Sequence, residues 1–567
     1  MRSSPTSRCR VAALAALLTL LPAVVGAAQP GAVRSGAVAC AAPAAAEAGA
    51  AILRQGGNAV DAAVATALAL AVVHPQAGNL GGGGFAVVRL GSEVAALDFR
   101  EVAPAAAQRD MFLTPSGGQD PERSLVGPLA AGVPGSPAGL FELHRRYGVL
   151  PWRSVVTPAE RLARKGFVVT QRLHDNIAAQ RDRLSRYGFT AKVWLPGGRP
   201  PEIGSRITLP RLAETLSAYA ASGPSAITSG RRAAAIEATS RALGGVLTVA
   251  DLAAYRPVWR EPVRFSAFGW EIASMPLPAA GGIILAESAG MLQRLGWAAL
   301  PRGSADRAHL LAETWRRSYA DRFLLGDPAT TLATPAQLLA AAWLDARAAS
   351  IDRARATPST AVAPWSAPVE SSETTHLSVI DGDGNAVSLT TTLNESFGCG
   401  VLVTEVGFLL NDEMDDFATA PGRPNAYGLV QGEANAVAPG KRMLSSMSPT
   451  VAWRGGEVLA LGSPGGSHIP TTTLQVILAV VVDGATLSAA VALPRLHHQW
   501  QPDRIVYEDG ALSPEVAAEL ERRGHALRRG LQLGEVHAVR RLADGGLEAA
   551  ADPRGPGATA VVAAPQP

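Results

Sequence analysis

Residues 374–394 read T-T-H-L-S-V-I-D-G-D-G-N-A-V-S-L-T-T-T-L-N, and no other stretch limits the fold of this chain so tightly. Residues 375–380 have the β-branched, alternating character of a strand, and residues 386–393 repeat it. The D-G-D-G-N between them is turn chemistry, because Gly and Asn tolerate positive φ. A hairpin folded about Asp383 sets residue 374 opposite residue 392. Opposed Cβ atoms of an antiparallel pair lie about 5 Å apart. Thr374 and Thr392 are therefore expected as neighbours, with Asn394 just beyond. Three hydroxyl or amide groups at one open hairpin end can form a site. A Thr–Thr pair is also ordinary sheet glue, so the hairpin alone assigns no activity.

The 567 residues, 47% hydrophobic and 17% charged, suit a large globular core. The start is read as a targeting segment rather than as part of the fold. Arg2, Arg8 and Arg10 precede an apolar run at 11–25, and Gly26-Ala27-Ala28 supplies small residues for cleavage near Ala27. The apolar stretch at 60–73 contains Asp61 and Thr66 and reads as a buried helix. No membrane span is expected in the mature chain. The formal charge of +3 includes the three leader arginines, and residues 1–27 hold no acid or lysine. The remainder is formally neutral, so no nucleic-acid partner is indicated. Cys9 leaves with the leader. Cys40 and Cys399 can pair or remain buried thiols. No C-x-x-C or H-E-x-x-H occurs, and His497-His498 would face opposite sides of a strand, so neither a metal nor a cofactor is expected.

Helical patterns cover 42–54 and 59–73. Gly81-Gly82-Gly83-Gly84 then leads into a strand without a following Gly-Lys-Ser/Thr, which favours close backbone packing over a phosphate cradle. A strand at 95–99 ends in Arg100-Glu101, where an arginine fork can grip a carboxylate or form a surface pair. Residues 132–373 are mainly helical, and 356–372, rich in Pro, Ser, Thr and Ala, reads as an exposed linker suited to a cut just before Thr374. Beyond the hairpin, Asn411-Asp412-Glu413-Met414-Asp415-Asp416 is an acidic cluster fit for a cation, either a metal or an amine. Residues 418–428 form a Pro/Gly loop with Tyr427, read as a lid. Asp381, Asp383 and Asn385 mimic the start of a calcium loop, but Ala386 and Thr392 stand where Gly and Glu are needed.

T-T-H-L-S-V, T-T-T-L-N, L-L-N-D-E-M-D-D-F, L-S-S-M-S-P-T and G-S-P-G-G-S, in this order, resemble the γ-glutamyltranspeptidases (glutathione hydrolases). G-G-N-A-V-D-A-A-V-A, H-P-Q-A-G-N-L-G-G-G-G-F, D-F-R-E-V-A-P, Y-A-D-R-F-L-L-G-D-P and P-R-L-H-H-Q-W extend the resemblance over nearly all of the mature chain.

The resemblance implies an α/β (α+β) architecture, a four-layer αββα sandwich of the N-terminal nucleophile hydrolase type. It implies a periplasmic or secreted enzyme without a cofactor. After a leader at 1–27, a precursor would cut itself between Glu373 and Thr374 into a large subunit, 28–373, and a small one, 374–567. Thr374 would be the nucleophile and Thr392 would orient it. Gly465 and Gly466 would form the oxyanion hole. Arg100, Ser445 and Ser446 match the carboxylate clamp, and Asn394, Glu413 and Asp416 the ammonium pocket, at opposite ends of a γ-glutamyl zwitterion. The implied donors are glutathione and other γ-glutamyl amides, and the implied acceptors are water, amino acids or dipeptides. Two alternatives remain open: a glutaryl-cephalosporin-type acylase of the same fold, and a non-catalytic secreted binding protein on the same scaffold.

Overall fold

The computed structural model describes residues 33–116, 118, 120–362, 374–419, 432–530 and 532–564. The expected leader, Glu373 and Tyr427 lie outside them. The principal strands are β1 Gly36–Cys40, β2 Gly83–Leu90, β3 Glu93–Phe99, β4 Val258–Arg260, β5 Val263–Ala267, β6 Trp270–Ser274, β7 Thr374–Asp381, β8 Ala386–Thr392, β9 Thr450–Arg454, β10 Glu457–Gly462, β11 His537–Arg541, β12 Leu547–Ala551 and β13 Ala558–Val562. They build a seven-stranded sheet, β13-β1-β7-β8-β2-β3-β4, and a six-stranded sheet, β12-β11-β10-β9-β6-β5. Every pairing in both is antiparallel.

The sheets stack face to face. Ala37, Phe85, Val87, Ile380 and Ala386 of the first meet Ala273, Val451, Ala460 and Val539 of the second in one apolar layer. Helices α1 Pro43–Arg54 and α2 Ala59–Val73 cover the outer face of the first sheet. Helices α3 Gly281–Arg294, α4 Ala305–Arg322 and α5 His468–Val481 belong to the core outside the second. This is the expected αββα order. The sequence on both sides of residue 374 supplies strands to both sheets, so 28–373 and 374–567 are interleaved rather than separate domains.

Local chemistry explains why α2 starts where it does. Asn58 accepts from Val60 N and Asp61 N while Asp61 accepts from Asn58 N, a reciprocal cap. Ala59 N, also at this N-terminus, donates to Asp381 Oδ2 at 3.1 Å, which ties the helix to the end of β7. The same carboxylate accepts from Asp383 N and Asn385 N, both at 3.1 Å, and Gly384 takes φ +81°. Asp381 is thus a turn brace and not a cation ligand. The four glycines serve close packing: a Cβ on Gly84 would stand 2.3 Å from Thr390 O, and one on Gly82 2.2 Å from Thr392 O.

One expectation fails in part. The stretch 356–362 of the expected exposed linker is anchored, because Ser359 Oγ donates to Trp500 O at 2.5 Å and Trp500 Nε1 donates to Ser359 O at 2.7 Å. Ser359 is fully buried. Residues 363–372 lie outside the described residues. Cys40 and Cys399 are free buried thiols, which burial pushes up to about 12.

Candidate active site

The hairpin forms with the expected register: Thr392 pairs with Thr374, Thr390 with His376 and Ser388 with Ser378. Residues 374, 376 and 378 share a face by the two-residue period of a strand, and that face looks toward the second sheet. Ser388 Oγ donates to Leu461 O at 2.9 Å and Ser378 Oγ to His537 O at 3.0 Å, so the stripe is bonded across the sandwich. His376 lies between Thr390 Oγ1 (2.8 Å) and Ser378 Oγ (2.9 Å), and burial holds it well below the ordinary imidazole range. Thr374, only 8% exposed, ends the stripe at the open end of the hairpin.

Thr392 Oγ1 accepts from Asn394 N at 2.8 Å. Asn394 takes φ +76°, a left-handed conformation that Asn tolerates, and its side chain donates to Asp412 O at 3.0 Å. Asn79, which the sequence reading left without a role, donates to Thr392 O (2.8 Å) and Thr391 Oγ1 (3.0 Å) and braces this end of β8. Its signal in the sequence is the Asn that opens N-L-G-G-G-G.

One small cavity is lined by Arg100, Thr374, Thr392, Asn394, Glu413, Asp416, Ser445, Met447, Gly466 and Ile469. Eight of the expected site residues therefore meet at one place. Gly465, the neighbour of Gly466, takes φ +122°, and Gly466 φ +54°, so both use backbone conformations that glycine reaches without strain. They enter α5, whose N-terminal residue Ser467 makes no side-chain cap. Backbone N–H groups at such a helix start attract negative charge. Ser446 Oγ is buried without a hydrogen-bond partner among the described residues, and Ser445 Oγ accepts from Met447 N at 3.1 Å. Met447 and Ile469 supply apolar walls that the sequence reading had not assigned.

The charged half departs from expectation. Arg100 was expected at one end of a zwitterion site and Glu413 and Asp416 at the other. Instead Arg100 Nη1 is bonded to Glu413 and Nη2 to Asp416, with Glu101 Oε2 at 3.8 Å from Nη1. Buried opposite charges neutralise one another, because an unpaired ion in a low-dielectric interior is costly. Burial works against charge on Arg100, but Glu413, Asp416 and Glu101 outweigh it and keep the guanidinium protonated. Burial likewise pushes Glu413 and Asp416 above the usual carboxylate range, with Arg100 opposing it. Glu101 rises to about 8 for the same reason. The cluster holds three acids around one arginine, so protons are retained to higher pH than on exposed carboxylates.

Among the described residues, His309, Glu313 and His525 alone group as metal ligands might. Both Glu313 oxygens are bonded to arginines, Arg316 at 3.2 Å and Arg317 at 2.7 Å, and the two imidazoles bond each other at 2.8 Å. That is a structural cluster away from the cavity. No helix among the described residues is long and apolar enough to cross a membrane.

The glutathione hydrolase proenzyme of Escherichia coli (strain K12) is 42% identical over 515 residues, 90% of this chain and 89% of that protein. A cephalosporin acylase from Bacillus halodurans shares the fold with a TM-score of 0.83 at 27% identity, covering 93% of this chain and 96% of its own. A γ-glutamyltranspeptidase from Helicobacter pylori, 37% identical with a TM-score of 0.56, matches over 57% of this chain and 93% of its own. The family model described as Gamma-glutamyltranspeptidase matches residues 45–562, and with this coverage the chain belongs to the γ-glutamyltranspeptidase family.

Proposed function

We propose that this protein is a γ-glutamyltransferase and glutathione hydrolase that matures by cutting itself between Glu373 and Thr374. The observation that carries this reading is the convergence of Thr374, Thr392, Gly466 and the Arg100–Glu413–Asp416 cluster on one cavity.

A threonine hydroxyl is a weak nucleophile and needs a base. Within an intact chain the nitrogen of Thr374 is an amide and cannot take a proton. Released as an α-amine, with a pKa of about 8, it can. Thr374 Oγ then attacks the γ-carbonyl of the donor, and its proton passes to the α-amine. The oxyanion is held by the Gly465 and Gly466 amides, where loss of one donor typically costs about a hundredfold or more in rate. Collapse returns the proton to the leaving amine and leaves a γ-glutamyl ester on Thr374. Water, or the amine of an amino acid or dipeptide, resolves the ester by the same steps in reverse. Thr392, paired with Thr374 across the hairpin, orients the nucleophile.

The donor's α-carboxylate takes Arg100 with Ser445 and Ser446, and its α-ammonium takes Glu413, Asp416 and Asn394. A zwitterion brings one charge of each sign, so it can insert between Arg100 and its acids without leaving a buried ion unpaired. A glutaryl group brings only the negative one, which disfavours the acylase reading. Interleaving of the two segments in both sheets supports products that stay together after the cut. The Escherichia coli relative named above, a proenzyme, supports a processed precursor. An export leader at 1–27 fits a periplasmic or secreted enzyme, and Tyr427 is assigned to a lid over the cavity.

The test compares hydrolysis of γ-glutamyl-p-nitroanilide with that of the glutaryl anilide. A preference for the first by at least about a hundredfold is expected from the loss of one buried charge partner. Equal rates would favour an acylase, and no turnover of either would favour a binding protein.

A further inference from the structure

Two sequence blocks have no part in the reaction as described: Y-A-D-R-F in α4 and L-H-H-Q-W at 496–500. The structure brings both to Ser467, the residue that follows the oxyanion glycines. Tyr319 Oη donates to Ser467 O. On the other side Ser467 Oγ donates to Gln499 Oε1 at 2.7 Å. The same oxygen lies 2.8 Å from His497 Nε2. A carbonyl oxygen only accepts, so Nε2 carries the imidazole hydrogen, and Nδ1 accepts from Thr471 Oγ1 at 2.8 Å. Thr471 lies in the first turn of α5, so the loop returns to the helix it started from. The His468 ring packs edge-on against His497 with centroids 4.4 Å apart. Tyr319, Ser467, His497 and Gln499 are all at least nine-tenths buried.

The direction of the Ser467 side chain is the informative point. Serine at a helix start ordinarily turns its oxygen back onto the first free N–H groups. Here it makes no such cap and is drawn to Gln499 instead. Ser467 is thereby gripped at its carbonyl and at its hydroxyl, while His468 N and Ile469 N donate back to Gly465 O at 3.0 Å and Gly466 O at 3.1 Å. The flanking Gly465 and Gly466 have no side chains to fix their own conformation.

We propose that Tyr319 and Gln499, with His497 behind Gln499, are positioning residues that hold the Gly465-Gly466 amides in oxyanion-binding geometry. Tyr319 comes from the segment before residue 374 and the others from the segment after it, so this brace would cross the subunit boundary. The inference rests on the acyl-transfer reading above.

An oxyanion brace acts on the tetrahedral state and not on ground-state binding. Tyr319→Phe and Gln499→Leu should each lower kcat about tenfold, with KM within about twofold, when rates are normalised to the amount of chain beginning at Thr374. An amino-acid boronate that forms a tetrahedral adduct on the nucleophile should lose affinity by the same factor, while free glutamate binds as in wild type. Gln499→Glu, which keeps the accepting oxygen, should recover most of the loss. The two variants together should cost less than the product of the single effects, because both act through Ser467. Should Gln499→Leu fail to mature, Tyr319→Phe, which removes one oxygen atom, carries the test alone. Unchanged kcat, or a fall in kcat with undiminished boronate affinity, would overturn the proposal. A wild-type protein that neither turns over γ-glutamyl substrates nor binds the boronate would instead refute the acyl-transfer reading itself.

Discussion

The nucleophile hairpin and the charged pocket share one cavity but are built by opposite means. The hairpin is local: residues 374–392 fold on themselves, and the stripe of residues 374, 376 and 378 carries one titratable group, His376, kept neutral by burial. The pocket is assembled from afar, with Arg100 bonded to Glu413 and Asp416 across more than three hundred residues of sequence, and its central contacts are ionic. Geometry in the first is set mainly by the backbone ladder of the hairpin. Geometry in the second depends on charges that must remain matched. The hairpin is accordingly suited to chemistry and the pocket to recognition, and mutations should separate the two.

The largest effect is expected at the hairpin. Thr374→Ala should leave one uncut chain and abolish turnover, since it removes the attacking oxygen for both steps. Denaturing electrophoresis and γ-glutamyl-p-nitroanilide hydrolysis read both. Arg100→Leu should do the reverse: the cut proceeds, but KM for the donor rises by two or more orders of magnitude. It also strands the two acids, and breaking a buried pair costs about 3–5 kcal/mol, so its melting temperature should fall. If Arg100→Leu prevented the cut, the division between the two regions would be wrong. Thr392→Val should come next, with kcat down about ten- to a hundredfold and KM little changed, by analogy with the loss of one positioned proton-transfer partner.

The smallest effect sharpens the contrast through pH. Glu413 and Asp416 have folded values raised above the unfolded ones by burial. Their contribution to stability is therefore full below the ordinary carboxylate pKa of about 4 and is lost as pH rises through the folded values. His376 is lowered by burial, so its contribution is present above about 6.5 and is lost as pH falls. Melting temperatures measured from acid to neutral pH should show Glu413→Gln gaining on wild type as pH rises. His376→Asn should gain on wild type as pH falls. Parallel curves for both variants would contradict the assigned directions.

The same contrast explains what was legible in the sequence. The hairpin register followed from the turn and the strand period alone, because every determinant lies within twenty residues. Asp381 was legible as turn chemistry, and its bonds to Ala59, Asp383 and Asn385 bear that out. The resemblance named Arg100, Glu413 and Asp416, but not that they bond one another. That contact is set by tertiary burial, which no spacing in the chain records. Helix α5 runs against its local preference: H-I-P-T-T-T-L-Q-V-I-L-A-V-V is rich in β-branched residues, which favour strand, and packing against the second sheet overrides the propensity. Helix α3 begins at Gly281-Gly282, usually a breaking signal. A Cβ at Gly281 would lie 2.0 Å from Ser448 Oγ, so the glycine is there for close approach to the serine loop. The linker was misread at Ser359 because Trp500, which anchors it, is remote in sequence.

Intact-mass analysis of the purified protein, quenched with acid during turnover of a γ-glutamyl substrate, tests the central claim most directly. Two chains are expected, one beginning at Thr374, and a fraction of that chain should be heavier by a single γ-glutamyl residue. A single uncut chain that still hydrolyses the substrate, or a γ-glutamyl adduct on any residue other than Thr374, would contradict the account.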